Sequence, residues 1–412
     1  MFEQKEIVKK VEPLEDEKIE NRKPKIQIYL NSNNVKKDFL NIKMYLDGKT
    51  IKYKVSDKKI KYTPKNKLKI GSHIIRISAM VSSGESYDYS WNFTIEEKET
   101  FNYYFGNLHS HTSYSSGQGT PAEAFDSAKN KGMDFWALTD HSRALNSDEK
   151  WKKYMSTSSK FNKKHKRNLA IYGKEISVKG IGHLNLFNCD NMDKLKINRL
   201  DKLESVIDKY NDAILCINHP GKSIYNLKDK KHLNKNICIM EVGNGSFGEK
   251  YNRYEKYYYG MLDEQWHLGA VNGQDNHKRD WGKWDNLTVI LAPKLKDKYI
   301  FEAIRNRRIY STESNTMKLK FKLGNIWMGG IVKEYKKGEI IQFTVECEDK
   351  KIPIEKLQII TNGAVILEEK NIEDYKCLWK PKIKLERENA WYVIKVIQKE
   401  GRIGISSPII VK

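Results

Sequence analysis

Apolar and polar residues alternate one by one in four stretches near the start of the chain: Ile26-Gln27-Ile28-Tyr29-Leu30, Ile42-Lys43-Met44-Tyr45-Leu46, His73 to Val81, and Trp91-Asn92-Phe93-Thr94-Ile95. Successive strand side chains point to opposite faces, so this period of two, punctuated by Asn, Asp, Gly and Ser, predicts short strands. Residues 25–98 are expected to form a small antiparallel sandwich. Trp91 reads as part of its core more readily than as a platform for carbohydrate. Residues 1–24 alternate charges and hold almost no aromatics, which predicts a disordered or loosely attached arm.

The same texture returns over residues 316–412. Leu319/Phe321/Leu323, Ile341/Phe343/Val345, Leu357/Ile359 and Trp391/Val393/Ile394/Val396 read as half-buried strands and predict a second, Ig-like sandwich. Residues 101–315 alternate differently. Strand candidates lie near Tyr103 to Leu108, Phe135 to Thr139, Leu169 to Lys174, Leu184 to Phe187, Ala213 to Asn218, Ile237 to Val242, Gly269 to Asn272 and Thr288 to Ala292. Helical patterns separate most of them. Pro121 to Lys131 opens on Pro and ends at Gly132, and Leu203 to Tyr210 and Lys298 to Arg307 carry apolar residues at helical spacing. Alternating strand and helix predicts a mostly parallel sheet, open or closed into a barrel.

Composition narrows the class. The chain has 412 residues, 39% of them hydrophobic, and its uncharged apolar runs fall far short of the ~20 residues of a membrane span. Lys and Arg total 75 against 53 Asp and Glu, a formal charge of +22, and 63 of the 75 are Lys. A reader of nucleic-acid sequence is expected to cluster Arg forks on one element. These lysines are spread over the whole chain, which suits a solvated surface with some pull on anionic substrates. The five cysteines, Cys189, Cys216, Cys238, Cys347 and Cys377, form no CxxC pair and read as buried free thiols. The N-terminus lacks the apolar core of a secretory signal, so a cytoplasmic, reducing location is expected.

Six of the ten histidines fall at or just beyond strand ends. His109 and His111 form an H-x-H, and residues i and i+2 of extended chain face one side, where two imidazoles can share a cation. His141 follows Asp140, His183 opens the strand after Glu175, His219 ends ILCIN, and Asp275 and His277 sit in GQDNH. In a parallel α/β barrel the C-terminal strand ends converge on one mouth. Imidazole nitrogens with carboxylate oxygens suit Zn, Mn or Fe. His73, His165, His232 and His267 lie elsewhere and read as structural or solvated.

The run of GNLHSHTSYSSG, ALTDHS, YGKEIS, GHLNLF, INHP, MEVGNG and GQDNH closely resembles the PHP (polymerase and histidinol phosphatase) metallohydrolases, most of all the branch of carbaryl-type hydrolases. The resemblance covers roughly residues 101–315. It implies a distorted (β/α)7 barrel, here flanked by two small all-β sandwiches, with two to three divalent transition-metal ions. It further implies that His109, His111, Glu175 and Asp275 hold the first metal, that Glu175 bridges to a second completed by His183 and His219, and that His141 and His277 hold a third. One position departs: where the branch often has S-D-G after the H-x-H-T motif, this chain has Ser115-Ser116-Gly117. The third site is then weak, empty, or completed by Asp140 or water.

The chemistry expected is hydrolysis of a phosphoester or related ester by a hydroxide bridging the metals. Asp140 would orient an imidazole or accept a proton. Arg143 and Lys222 would face an anionic substrate, and Asn185 and Asn244 would either donate hydrogen bonds at the mouth or hold loops together. Two rival classes stand beside the small-ester hydrolase. One is a nuclease acting on nucleic-acid ends, with the Tyr251 to Tyr259 stretch stacking bases rather than forming a helix face over the barrel. The other is a non-catalytic binding or surface-assembly protein.

Overall fold

In the computed structural model, described for residues 7–31, 35–56, 58–95, 101–145, 147–189, 196–246 and 249–412, the chain divides into two compact units, Met1–Thr100 and Phe101–Lys412. The first is built from β1 (Val8–Glu12), β2 (Glu17–Ile19), β3 (Ile26–Leu30), the short α1 (Val35–Asp38), β4 (Phe39–Leu46), β5 (Lys49–Thr50), β6 (Lys54–Ser56), β7 (Lys59–Tyr62), β8 (Gly71–Val81) and β9 (Ser86–Ile95). They make two sheets, ordered β1-β3-β7-β6 and β2-β9-β8-β4-β5. The alternating residues face inward: Ile26, Ile28, Ile60, Ile75, Ile77, Trp91 and Phe93 are buried in one core. Trp91 also donates from Nε1 to the Pro13 carbonyl at 3.0 Å, so it is a core residue and not a platform.

The charged arm expected over residues 1–24 is corrected here for its described part. β1 pairs antiparallel with β3, and β2 pairs parallel with β9, so each lends an edge strand to one sheet. Val11 is buried, and the Trp91–Pro13 contact ties the turn between them to the core. Ile7, Val8 and Ile19 pack partly against the same core, and with a ladder of backbone hydrogen bonds these few apolar contacts hold a segment whose charged side chains stay in water.

The second unit starts with β10 (Asn102–Asn107), α2 (Pro121–Asn130), β11 (Phe135–Leu138), α3 (Asp148–Lys164), β12 (Leu169–Val178), β13 (Gly182–Phe187), α4 (Leu200–Lys209), β14 (Ile214–Ile217), β15 (Ile237–Ser246), β16 (Lys250–Arg253), α5 (Glu255–Asp263), β17 (Gly269–Gly273), β18 (Leu287–Ala292), α6 (Asp297–Arg305) and β19 (Ile309–Thr312). The sheet curls through β17-β15-β14-β13-β12-β11-β10-β18-β19. The expected mostly parallel sheet is in fact mixed. β10–β11, β11–β12, β14–β15 and β15–β17 are parallel, whereas β13 runs antiparallel to both β12 and β14, and β18 antiparallel to β10. The hairpin between β12 and β13 needs Gly180 and Gly182 at φ 83° and 123°, conformations an L side chain resists. Where β17 meets β18, the Thr288 hydroxyl bonds both the N–H and the C=O of Asn272.

α2 illustrates the local logic. Thr120 caps its first turn, Glu123 reciprocates, Pro121 opens it, and Ala124, Phe125 and Ala128 form the buried stripe.

After β19 the chain adds β20 (Lys318–Leu323), β21 (Ile326–Trp327), β22 (Ile331–Val332), β23 (Ile340–Glu348), β24 (Ile354–Thr361), β25 (Val365–Asp374), β26 (Lys376–Trp379), β27 (Lys382–Lys384), β28 (Ala390–Gln398), β29 (Arg402–Ser406) and β30 (Ile409–Val411). The curled sheet does not stop at residue 316. β19 pairs with β29, and the ladder continues through β28, β24 and β25. Val289, Leu291 and Tyr310 of β18 and β19 share one core with Leu319, Phe321, Phe343 and Tyr392. Pairing β19 leaves no open edge on that side of the site. Cys347 and Cys377 sit opposite each other on β23 and β26 as free thiols, a juxtaposition hidden by their distance in sequence.

No helix among the described residues is long and apolar enough to cross a membrane.

Candidate metal centre

Eight side chains converge at one rim of the curled sheet. His109 and His111 follow the end of β10, His141 lies beyond β11, Glu175 is on β12, His219 is two residues past β14, and Asp275 and His277 follow β17. His183 opens β13, and because β13 runs antiparallel to its neighbours its start lies beside their C-terminal ends. Open α/β sheets bind ligands at that edge. Ser110 and Asn276 form a backbone bridge, as do His141 and Glu175, which locks the loops in register.

Glu175 is the hub. Its Oε1 lies 3.4 Å from His109 Nε2, 3.2 Å from His183 Nδ1 and 3.3 Å from His219 Nε2, and its Oε2 lies 2.8 Å from His141 Nδ1 and 3.6 Å from His111 Nε2. Asp275 Oδ1 faces His109 Nε2 and His111 Nε2 at 3.3 and 3.0 Å. Four triads bring one donor atom from each member within 4.8 Å of the others: His109/His111/Glu175, His109/His219/Asp275, Glu175/His183/His219 and His111/His141/His277. The floor is dry and the rim is wet: the side chains of His109 and His111 are 0% exposed, those of His183 and His277 38% and 42%.

Burial alone raises the Glu175 carboxyl, but His109, His141 and His183 outweigh it and hold it far below the usual carboxylate range. Asp275 follows the same pattern, with burial overcome by His109 and His111. Burial pulls His111 down, in spite of Asp275, whereas His109 is driven well above the usual imidazole value because Asp275, Glu241 and Glu175 overcome its burial. The cluster is an acidic pocket that draws positive charge into its floor. A divalent cation meets that demand with softer nitrogen and harder oxygen donors together.

Residues that the sequence reading left unassigned hold this geometry. Glu241, 1% exposed on β15, accepts from His109 Nδ1 at 2.8 Å, from the His219 backbone N–H at 2.5 Å and from Asn244 Nδ2 at 2.9 Å. With Nδ1 so engaged, His109 presents Nε2 to the cluster, the usual way a carboxylate sets the tautomer of a ligating imidazole. The contact to His219 supports a backbone held at φ 25°, and Asp275 sits at φ 49°, both sparsely populated for non-glycine residues. Asn218 donates to Glu175 Oε1 at 3.0 Å. The signal for Glu241 was present in MEVGNG as a lone carboxylate in a buried apolar strand.

The other candidate residues take the following places. Of the two parts open to Asn185 and Asn244, the contacts match the holding one: both are buried, Asn185 donates to the Leu108 carbonyl at 3.1 Å, and Asn244 to Glu241. Among the described residues Asp140 touches no imidazole directly, but the Ser115 hydroxyl that donates to it lies 3.5 Å from His111 Nδ1 and links it to that ring. Asp140 is fully buried, and its oxygens accept from the Thr112 N–H, the Thr112 hydroxyl and the Ser115 hydroxyl at 2.8, 2.8 and 2.5 Å. Its part is to fix the loop that carries His111. Arg143 is exposed and lines a groove of about 540 Å³ with His183, Lys179, Arg199 and Ser223. Lys222 is exposed on the neighbouring 3-10 turn and is not among the residues lining that groove.

The remaining four histidines lie apart from the cluster. His73 pairs with Asp47, His165 caps α3, and His232 pairs with Glu204. His267 is half-buried, and desolvation together with the nearby Arg307 pulls it down to about 3. The tyrosine stretch packs inward: Tyr258 and Tyr259 of α5 are buried, Tyr259 stacks on Trp391, and Tyr251 bonds Asn272.

Residues 107–273 match the PHP domain family, a span that holds six of the eight side chains and ends just before Asp275 and His277. No curated protein matches the chain. Among solved structures, the chain is similar to a two-domain protein of Bacteroides vulgatus containing a predicted PHP-like metal-dependent phosphoesterase, at 16% identity over 72% of this chain and 90% of that one, TM-score 0.43. It is also similar to an amidohydrolase of Chromobacterium violaceum with bound sulfate and no metal, at 15% identity over 42% and 87%, TM-score 0.31. A third is the copper resistance protein PcoC of Escherichia coli, at 18% identity over 22% and 98%, TM-score 0.18.

Proposed function

We propose that the cluster holds two to three divalent ions of Zn, Mn or Fe and hydrolyses phosphoesters of small anionic substrates. The observation that carries this reading is one ionised Glu175 facing five imidazole nitrogens within 3.6 Å. In this assignment His109, His111, Glu175 and Asp275 hold one ion, Glu175, His183 and His219 a second, and His141 and His277 a third; we place the chain in the carbaryl-type branch on its motifs. When bound, such ions supply Lewis acidity toward phosphoryl oxygens and ionise a water near neutral pH. The chain itself does the positioning. Glu241 and Asn218 aim the donors from below, the Asp140 network fixes the His111 loop, and the exposed rim of His141, His183 and His277 leaves an approach from solvent.

Protein reconstituted with each metal and assayed against phosphomonoesters, phosphodiesters and carboxyl esters tests this reading. Metal-dependent turnover of a phosphoester supports it; a metal-loaded protein inert toward all three classes would sink it. Tyr258 and Tyr259, buried on α5, offer no face for base stacking, which favours the small-ester reading over the nuclease.

Arg143 is the side chain we assign to the substrate's negative charge, because it shares a groove with His183. Arg143→Gln is expected to raise KM about tenfold to a hundredfold, the scale of one lost charge-assisted contact, with kcat and metal content little changed. A fall in metal content would move Arg143 from substrate binding to support of the cluster.

Ser116 is exposed, beside the Ser115 hydroxyl that binds Asp140. Since Asp140 is already fully engaged, Ser116→Asp is expected to raise occupancy toward three ions per chain. Elemental analysis showing unchanged stoichiometry would mean that His111, His141 and His277 suffice for the third position.

A further inference from the structure

The lysines are not evenly spread. Residues 25–69 contain 13 lysines, no arginine and three carboxylates, Asp38, Asp47 and Asp57, so 45 residues carry +10 of the chain's +22. The first unit gathers six of these lysines around one surface groove of about 700 Å³: Lys25, Lys52, Lys54, Lys61, Lys65 and Lys67. All six are exposed, and no carboxylate is among the described residues that line the groove.

The sheet register sharpens the point. β6 and β7 pair antiparallel with Lys54 directly opposite Lys61, on the same face. Like charges in that relation repel and destabilise a strand pair, and no ion pair to either is formed among the described residues. Val55 opposite Ile60 covers the core face of the hairpin, which leaves the two lysines paired on the face turned to solvent. An anion lying between the two ammonium groups would turn this repulsion into attraction.

Three features select among anions. The lysines line a concavity, which suits a chain threaded through it better than a flat bilayer. They are point charges without the planar fork of Arg, suited to contacting phosphates without reading bases. The half-buried Tyr62 also lines the groove while packing partly against the core, and an aromatic side chain among cations is the combination that holds single strands without sequence preference. We propose that this groove binds the backbone of a single-stranded nucleic acid, independently of the metal cluster and of the small-substrate chemistry there.

The test uses the full chain and a fluorescent twenty-residue oligothymidylate, with anisotropy read across about 50 to 200 mM salt. Six phosphate contacts predict a slope of log affinity against log salt near −4, at about 0.7 per contact. Lys54→Gln with Lys61→Gln is expected to weaken binding at least tenfold and to flatten the slope by about 1.4. The same change at Lys382 and Lys384, exposed on β27, removes equal charge and should leave affinity within about twofold. The groove variant should melt no lower than the parent, since it removes a repulsion, and should turn over small esters unchanged. Lys52→Gln with Lys65→Gln, outside the β6–β7 ladder, gives an independent second variant with the same expected loss. Absence of oligothymidylate binding, equal losses from the groove and β27 variants, equal binding of polyaspartate, or binding only to vesicles containing phosphatidylserine would each overturn the proposal.

Discussion

Glu175→Gln is expected to lower kcat/KM of the metal-loaded protein toward its best phosphoester by at least ~10³-fold, about 4 kcal/mol of transition-state stabilisation. His232→Gln, at an exposed histidine paired with Glu204, should leave it within about twofold. The size follows from geometry. Glu175 is 1% exposed, and both of its oxygens face imidazoles, so a neutral amide both removes the charge that offsets a cation and turns an N–H toward histidine nitrogens. Metal content should fall with activity, and elemental analysis separates this from a purely chemical defect. A Glu175→Gln protein that keeps full metal content and activity would mean that the five imidazoles surround a structural carboxylate. Melting curves without metal identify simple unfolding, because a variant that still melts cooperatively near the parent has lost the site and not the fold.

Much of this centre was legible before any coordinates, because its residue types are chemically conspicuous. Histidine is scarce, and an H-x-H, a D-x-H and single histidines at the ends of apolar runs can be read off by strand periodicity. All six of those histidines, with Glu175 and Asp275, do meet. What could not be read was direction. Asn185 lies on β13, whose antiparallel course turns its side chain onto the Leu108 carbonyl instead of the mouth. The hairpin that reverses β13 was signalled only by Gly180 and Gly182, a cue that competes with ordinary loop glycines. The lysine concentration was countable in the sequence, yet spacing alone could not place Lys54 opposite Lys61; that depends on the β6–β7 register. The first edge strands escaped notice because edge strands take most of their stability from backbone pairing, which leaves little trace in side-chain pattern.

Glu241 escaped for a different reason, and it carries the second large effect. It stands in ICIMEVG, an apolar run that reads as a buried strand, and its role depends on an irregularity in pairing: the β15–β17 register slips between Glu241 and Gly243. Bulges of this kind re-aim a side chain beside a site. Glu241→Gln is expected to weaken metal affinity 10- to 100-fold, the range for partners that orient a ligating imidazole, with much of kcat recovered at saturating metal. Gly273 offers a second approach to the same contact without touching the carboxylate. A Cβ there would meet Glu241 Oε1 at 1.8 Å and His109 Cβ at 3.1 Å, so Gly273→Ala must displace the Glu241 side chain. If Glu241 acts by positioning His109 and His219, both variants shift the metal titration in the same direction and their combination adds little, as expected for changes that act through one contact. Additive losses, or a Glu241→Gln enzyme whose kcat stays low at saturating metal with unchanged affinity, would assign Glu241 a direct part in the reaction.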